Sequence, residues 1–87
     1  MLDNDMVRLH HILDAVHEAV AFSQGRSQKD LYSDRMLSLS LVRLLEIIGE
    51  AARGISPAYR AAHSEIAWQK MAGMRDRLVH GYFDINL

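Results

Sequence analysis

The sequence contains no cysteine, a single proline and no long apolar run. Without cysteine the chain has no disulfide framework, and without about 20 consecutive apolar residues it has no candidate membrane span or secretory signal. The scarcity of proline and a hydrophobic content of 49% favour helices with broad buried faces over a disordered chain. We therefore expect one cytoplasmic domain over residues 1–87, small enough that self-association would help to bury its apolar surface.

A large net charge is also missing, because the formal net charge at pH 7 is −1. This excludes a protein that coats nucleic acid by charge alone. The charges are unevenly distributed, since residues 51–80 contain five lysines and arginines but only two acidic residues, Glu65 and Asp76. The C-terminal half is thus locally positive, which indicates an anionic ligand if folding gathers these charges on one surface.

Two long segments carry apolar residues at helical spacing. The first ends near Phe22 and has one apolar row, which predicts an amphipathic helix. The second has two rows side by side and is expected to be buried on two sides. The row of the first helix is Leu2, Met6, Leu9, Leu13, Val16 and Val20. The rows of the second are Leu37, Leu41, Leu44, Ile48, Ala51 and Ile55, beside Val42, Leu45, Gly49 and Ala52.

The segment between the two long helices, residues 23–34, is mostly polar and contains a glycine. It predicts a connection that includes one short helical turn around Leu31 and Tyr32. Ser33 or Asp34 is then the expected N-cap of the second long helix, because either side chain can accept a hydrogen bond from the first turn.

The rest of the chain predicts a short third helix and a longer last one. Gly54 suits the end of the second long helix, and Ser56 followed by Pro57 suits the start of the short one. Ser64 is the expected cap of the last helix, with Trp68 in the core or in a dimer interface. The apolar face expected for that helix is Ile66, Ala67, Met71, Met74 and Leu78.

Helical periods without strand alternation predict an all-α fold, an antiparallel up-down helical bundle. Two long helices, a short one and a third long one leave such a bundle one helix short. The missing helix would come from residues beyond Leu87 or from a second copy of the chain.

The segment "MRDRLVHGYFDIN", residues 74–86, combines groups suited to phosphate chemistry. Arg75 is a fork-shaped cation that fits phosphate, and Arg77 is a second cation beside it. Asp76 lies four residues before His80, on the same helical face, where its carboxylate can orient the imidazole. The aromatic residue Tyr82 follows directly.

Arg75 and His80 would not converge on one ligand from a single regular helix, because residues five apart are separated by roughly 140° around the axis. Either the helix frays at His80, or two copies of the motif meet across a two-fold axis. Metal-free RNA cleavage needs a base, an acid and a cation for the phosphorane charge, and a symmetric dimer would supply two histidines. The simpler interpretation is a surface histidine near helix carbonyls and an arginine in an ion pair, which spacing alone does not exclude.

The segment "LLEIIGEAARGISPAYRAAHSEIAWQKMAGMRDRLVHGYFDIN" resembles the HepT-like toxins, a branch of the HEPN superfamily. The most specific part is the pattern filled by Arg75, Asp76 and His80, extended by Tyr82, in the contexts "IIGEAA" and "W..MAGMR". The resemblance continues upstream through "GRSQKDLYSDRMLSLSLVR" and covers nearly the whole chain.

The resemblance implies a HEPN-type bundle that dimerises so that two motifs meet in a cleft. It also implies a metal-independent endoribonuclease without a cofactor, in which Arg75 and His80 are catalytic, and a role as the toxin of a toxin-antitoxin pair. The implied partner is a nucleotidyltransferase antitoxin like MntA, which transfers AMP to the motif's tyrosine, here Tyr82. Bulky AMP at that position would compete with RNA phosphate for Arg75.

Two further readings of the chain stay open. Members of the family usually continue past the motif into another helix, so this chain is expected to lack a C-terminal helix. The rival function is a non-catalytic HEPN dimer, a module that binds nucleotides or a nucleotidyltransferase without cleaving RNA.

A metal site is the weakest of the candidate sites. His10, Asp14 and His17 share one face of the first helix, and Glu46 and Glu50 line up on the second. Carboxylate-bridged metal sites in bundles pair Glu with a Glu-x-x-His motif, which is missing here. We therefore predict no metal ligand.

Overall fold

The computed structural model describes residues 4–73. Within that range the chain forms helices and turns and no strand, so the predicted all-α fold is confirmed. The helices are α1 (Asn4–Ser23), α2 (Gln28–Ser33), α3 (Arg35–Arg53), α4 (Pro57–Ala62) and α5 (Trp68–Ala72). None of these helices is long and apolar enough to cross a lipid bilayer.

The two long helices, α1 and α3, pack against each other more extensively than any other pair. They run antiparallel, because Asp5 in the first turn of α1 bonds to Ser56, just beyond the end of α3. The short α5 also packs on α3. The central helix α3 is therefore covered from two directions.

The core is built mainly from α3, as its two apolar rows predicted. Ala52 is fully buried and Ile48 is 5% exposed, so α1 and α5 both approach this helix closely. Full burial of a side chain as large as that of Ile48 contributes about 1.5–3 kcal/mol to folding. The buried cluster comprises Ile12, Ala15, Leu44, Ile48, Ala51, Ala52, Ile55 and Trp68.

The apolar row predicted for α1 is only partly buried. Leu9 packs against the core, whereas Met6 and Leu13 are 48% and 51% exposed. The most deeply buried residues of α1, Ile12 and Ala15, lie beside the predicted row rather than in it. The small Ala15 lets α1 lie close to α3, and that approach decides which face is covered.

The connection between α1 and α3 forms as predicted, with a short helix in its middle. Gly25 has the positive φ of 69° that a left-handed turn requires,. Ser27 and Asp30 form a reciprocal capping box at the start of α2,. Asp34 caps α3 by accepting from the Leu37 amide at 3.1 Å.

The predicted boundaries around α4 are confirmed, but the predicted start of the last helix is wrong. Ser56 caps α4 and Pro57 occupies its first turn. Ser64 caps nothing, because α5 begins only at Trp68 and its N-cap, Ala67, makes no side-chain hydrogen bond. The Trp68 indole donates to the His63 carbonyl at 2.9 Å, and this bond keeps the intervening residues in a turn.

Candidate functional site

The residues predicted to carry chemistry lie outside the part of the chain that the structure describes. They are Arg75, Asp76, Arg77, His80 and Tyr82, and the described residues end at Gly73. The described residues that immediately precede this segment belong to α5 and to the turn at Gly73.

Trp68 fixes α5 to the body of the domain. Its side chain is 6% exposed and belongs to the core cluster. Its ring contacts Tyr59 edge-on, with the ring centroids 6.0 Å apart, and Tyr59 in turn stacks near His63 at 4.4 Å. An edge-on aromatic pair adds about 0.5–1.5 kcal/mol beyond area burial, so α5 is held by both packing and directional contacts.

A second contact joins the end of α5 to the end of α3. The guanidinium of Arg53, the last residue of α3, donates to the Ala72 carbonyl at 3.2 Å. Ala72 precedes Arg75 by three residues. The segment that contains the predicted catalytic arginine therefore starts from a backbone position tied to α3.

Arginine side chains gather around the C-terminal end of α3. Arg60 donates to the Ile55 carbonyl at 2.9 Å and to the Arg53 carbonyl at 3.1 Å. Arg8 of α1 lies across Gly54, where a β-carbon on residue 54 would come within 2.2 Å of its Nε. The carbonyl end of a helix carries partial negative charge, which favours cations there.

Asp5 provides a negative charge among these cations. Its carboxylate accepts from the Ser56 hydroxyl at 2.6 Å and from the Ser56 amide at 2.8 Å. These hydrogen bonds, with smaller contributions from Arg8 and Arg60, lower the pKa of Asp5 below its usual range. The contact joins the first turn of α1 to the cap of α4.

A groove of about 490 Å³ opens between α1 and α3 beside this cluster. Arg8 and His11 supply its basic side chains, Glu50 an acidic one, and Val7 and Ile47 an apolar wall. A pocket with an apolar wall and a few polar groups is typical of small-ligand sites. The lining residues are Asn4, Val7, Arg8, His11, Ile47, Glu50 and Ala51.

An apolar groove of about 410 Å³ lies on the other side of α1. It includes Met6 and Leu13 from the exposed face of α1. Its remaining lining comes from α1, α4, α5 and the turn before α5. The lining residues are Met6, Leu9, His10, Ile12, Leu13, Tyr59, Ile66, Trp68 and Met71.

The histidines that sequence placed in a candidate metal site lie on the surface. His10, Asp14 and His17 are exposed on α1. Among residues 4–73, no group of three or more histidines and acidic residues is arranged to hold a metal ion.

Sequence reasoning missed the contact between Arg8 and Gly54 and the contact between Asp5 and Ser56. Gly54 was interpreted only as a helix terminator, and Ser56 only as a local cap. Both contacts join residues about 50 positions apart, and local periodicity carries no signal for them.

Comparison with known proteins gives a consistent picture. The family model described as "Ribonuclease HepT-like" matches residues 12–87. "Putative RNase TTE0752" of Caldanaerobacter subterraneus subsp. tengcongensis is 41% identical over 78 residues, which cover 90% of this chain and 70% of that protein. "Probable ribonuclease HepT" of Thermococcus cleftensis is 35% identical over 79 residues, or 91% of this chain and 72% of that protein. No solved structure matches significantly.

Proposed function

Since this chain belongs to the ribonuclease HepT-like family, whose model matches residues 12–87, we propose that it is a metal-independent endoribonuclease. The observation that carries the proposal is that the matched range includes the whole motif from Arg75 to Tyr82. The names of the two relatives reported above, both ribonucleases, support the same activity.

In the proposed reaction, two copies of the motif act on one phosphodiester. One His80 removes the proton of the ribose 2′-hydroxyl, and the 2′-oxygen attacks phosphorus. The second His80 donates a proton to the departing 5′-oxygen, so the products are a 2′,3′-cyclic phosphate and a 5′-hydroxyl. Arg75 stabilises the charge on the phosphorane, Arg77 contacts a neighbouring phosphate, and Asp76 orients the imidazole.

The described part of the chain supports this proposal by supplying a fixed start for the motif segment. Catalytic groups must be held close to their productive geometry, which rigid elements do better than loops. The buried Trp68 and the bond from Arg53 to the Ala72 carbonyl hold α5 on the core just before Arg75.

We further propose that the chain is the toxin of a pair whose antitoxin is a nucleotidyltransferase. Transfer of AMP from ATP to the Tyr82 hydroxyl, with release of pyrophosphate, would place a bulky anion two residues after His80. That anion would compete with RNA for Arg75. A mass increment of AMP on the wild-type chain that is absent from Tyr82→Phe would support this switch, and modification of both would refute it.

The experiment that tests the activity is cleavage of a labelled RNA in the presence of a chelator. Wild type is compared with Arg75→Ala and His80→Ala, and the product ends are identified. We expect each substitution to reduce the cleavage rate by about 100-fold or more, and wild type to leave 2′,3′-cyclic phosphate ends.

A well-folded dimer that does not cut RNA would contradict the proposal. It would instead favour the rival function, a non-catalytic module that binds nucleotides or a nucleotidyltransferase. Cutting that persists in His80→Ala would refute the assignment of the histidine.

A further inference from the structure

Arg8 attracts the Asp5 carboxylate electrostatically, but unlike Arg26 and Arg60 it makes no hydrogen bond to another residue of the range 4–73. Arg26 bonds to Asp34 at 2.8 Å, and Arg60 is engaged by two backbone carbonyls. For Arg8 the structure gives no hydrogen bond or ion pair to another described residue, although its side chain is half-buried. A positioned guanidinium with its donors available is suited to an anionic ligand.

Gly54 leaves the space that the Arg8 side chain occupies. The backbone at Gly54 is right-handed, with φ −84° and ψ −5°, so glycine is not required there for conformational reasons. What a side chain would disturb is Arg8, since an added β-carbon would approach its Nε to 2.2 Å and its Cζ to 2.9 Å. Glycine at position 54 thus leaves room for a guanidinium at the edge of the groove between α1 and α3.

The side chains that line the groove complement the parts of a nucleotide unit. Arg8 and His11 offer donors for phosphate oxygens, and Val7 with Ile47 offers an apolar wall for a ribose or base. The volume of about 490 Å³ lies within the range of about 300–1,000 Å³ found for small-ligand sites.

The groove also lies near the point on α3 that contacts the end of α5. Glu50 lines the groove and is one helical turn from Arg53 on α3. Arg53 in turn bonds to the Ala72 carbonyl, three residues before Arg75. The groove and the last described turn of α5 are therefore joined through the C-terminal end of α3.

We propose that the groove between α1 and α3 is a subsite for the RNA substrate, in which Arg8 binds a backbone phosphate next to the scissile one. This inference rests on the proposed ribonuclease function. Arg8 is a substrate-binding residue that takes no part in proton transfer, and the absence of a side chain at Gly54 leaves room for it.

The test measures binding of a fluorescent, unstructured oligoribonucleotide to the full chain over a series of salt concentrations. His80→Ala is present throughout to prevent cleavage. Adding Arg8→Gln should weaken binding about five- to tenfold at low salt and reduce the slope of log K against log salt by about 0.7, the loss of one phosphate contact. Gly54→Ala, which displaces the same guanidinium without changing charge, should weaken binding in the same direction.

The matched control is Arg35→Gln. Arg35 is an exposed cation in the first turn of α3, roughly 27 Å along the helix from its C-terminal end, and its loss should leave affinity and slope unchanged. If Arg8→Gln binds within twofold of the parent with the same slope and native circular dichroism, the subsite is refuted.

A crosslinking measurement keeps the inference testable if Arg8→Gln does not fold. RNA that carries 4-thiouridine is irradiated with the His80→Ala chain, and the attachment site is mapped by mass spectrometry. Attachment within residues 4–11 or 47–51 supports the subsite, and attachment confined to other segments overturns it.

Two further arms separate the alternatives. Free AMP that binds as tightly as the oligonucleotide and depends on Arg8 would make the groove a mononucleotide site and overturn the backbone assignment. Cleavage by the unsubstituted chain with no change in KM for Arg8→Gln would refute the subsite and leave the ribonuclease. Binding that depends on Arg8 without any cleavage would refute the ribonuclease and leave the groove as an RNA-binding site.

Discussion

Asp5 and Ser56 are 51 residues apart in sequence and join the first turn of α1 to the start of α4. The Ser56 hydroxyl accepts from the Tyr59 amide at 3.2 Å while it donates to Asp5 at 2.6 Å. The Ser56 side chain thus caps α4 and at the same time donates a hydrogen bond to a carboxylate of α1. At the residue scale, such shared contacts determine how the ends of α1 and α3 are held.

Ser56→Ala removes both contacts at once. We expect it to lower the free energy of unfolding by about 1 kcal/mol, the usual cost of an N-cap, with some further loss from Asp5. Urea denaturation followed by circular dichroism measures the change. The control is Ser64→Ala, because Ser64 is exposed and caps no helix. A cost for Ser64→Ala equal to that of Ser56→Ala would contradict the assignment of the cap.

Asp5 should also make stability depend on pH in the acid range. Its pKa is lowered in the folded state, chiefly by the Ser56 hydroxyl and amide. The stabilisation is therefore complete above the unfolded-chain pKa of about 3.9 and is lost as pH falls through the lower folded value. Thermal unfolding of wild type and Asp5→Asn between pH 6 and 2 tests this.

Asp5→Asn should be less stable than wild type near neutral pH, and its stability should fall less as the pH is lowered. Asp14→Asn is the control for a carboxylate exposed on the same helix. Asp30 and Asp34, whose pKa values are also lowered, are present in all three proteins. If stability falls equally steeply with decreasing pH in wild type and in Asp5→Asn, the role of Asp5 is refuted.

At the scale of the element, the helices themselves were more predictable than the faces they bury. The two apolar rows of α3 left little choice of face, and Leu44, Ile48 and Ala52 from them are buried while Leu45 is partly buried. On α1, contact with α3 determines that Ile12 and Ala15, beside the predicted row, are the most deeply buried residues. The start of α5 escaped prediction for a related reason, because the bond from Trp68 to the His63 carbonyl outweighs a suitable cap at Ser64.

The dependence of α5 on Trp68 gives a prediction at this scale. Helix α5 has five residues and no side-chain cap, and so short a helix is not stable without packing. Trp68→Ala should lower the free energy of unfolding by about 3–5 kcal/mol, whereas Gln69→Ala, at an exposed neighbour, should change it by less than about 0.5 kcal/mol. Urea denaturation of both variants is the measurement, and a loss below 1 kcal/mol for Trp68→Ala would show that α5 has other supports.

At the scale of the whole molecule, the sequence predicted a candidate site from the motif of residues 75–82. It did not predict the contacts that hold the preceding helix, α5, on α3. The residue types and their resemblance to a family identified the motif. The cluster of arginines at the end of α3 depends on contacts between distant residues, such as Arg8 with Gly54 and Arg53 with Ala72. The excess of positive charge in residues 51–80 was visible in sequence, but Arg8 comes close to Gly54 only through folding.

The exposed apolar face of α1 gives the last prediction. Met6 and Leu13 line an apolar groove while remaining about half exposed, and a domain of this size buries a limited share of its surface alone. We expect a second copy to cover this face in the proposed dimer. Leu13→Glu should then convert the dimer to a monomer, as measured by light scattering, with helicity retained. It should also abolish cleavage, because each site of the proposed mechanism needs both motifs.

The matched control is Met36→Glu, since Met36 is an apolar residue that is 80% exposed on α3 and does not line this groove. It should leave both the dimer and the cleavage rate unchanged. A Leu13→Glu protein that stays dimeric would place the contact between copies elsewhere on the surface. A monomeric Leu13→Glu protein that still cuts RNA at the wild-type rate would refute the requirement for two motifs, because a single Arg75 and His80 would then suffice.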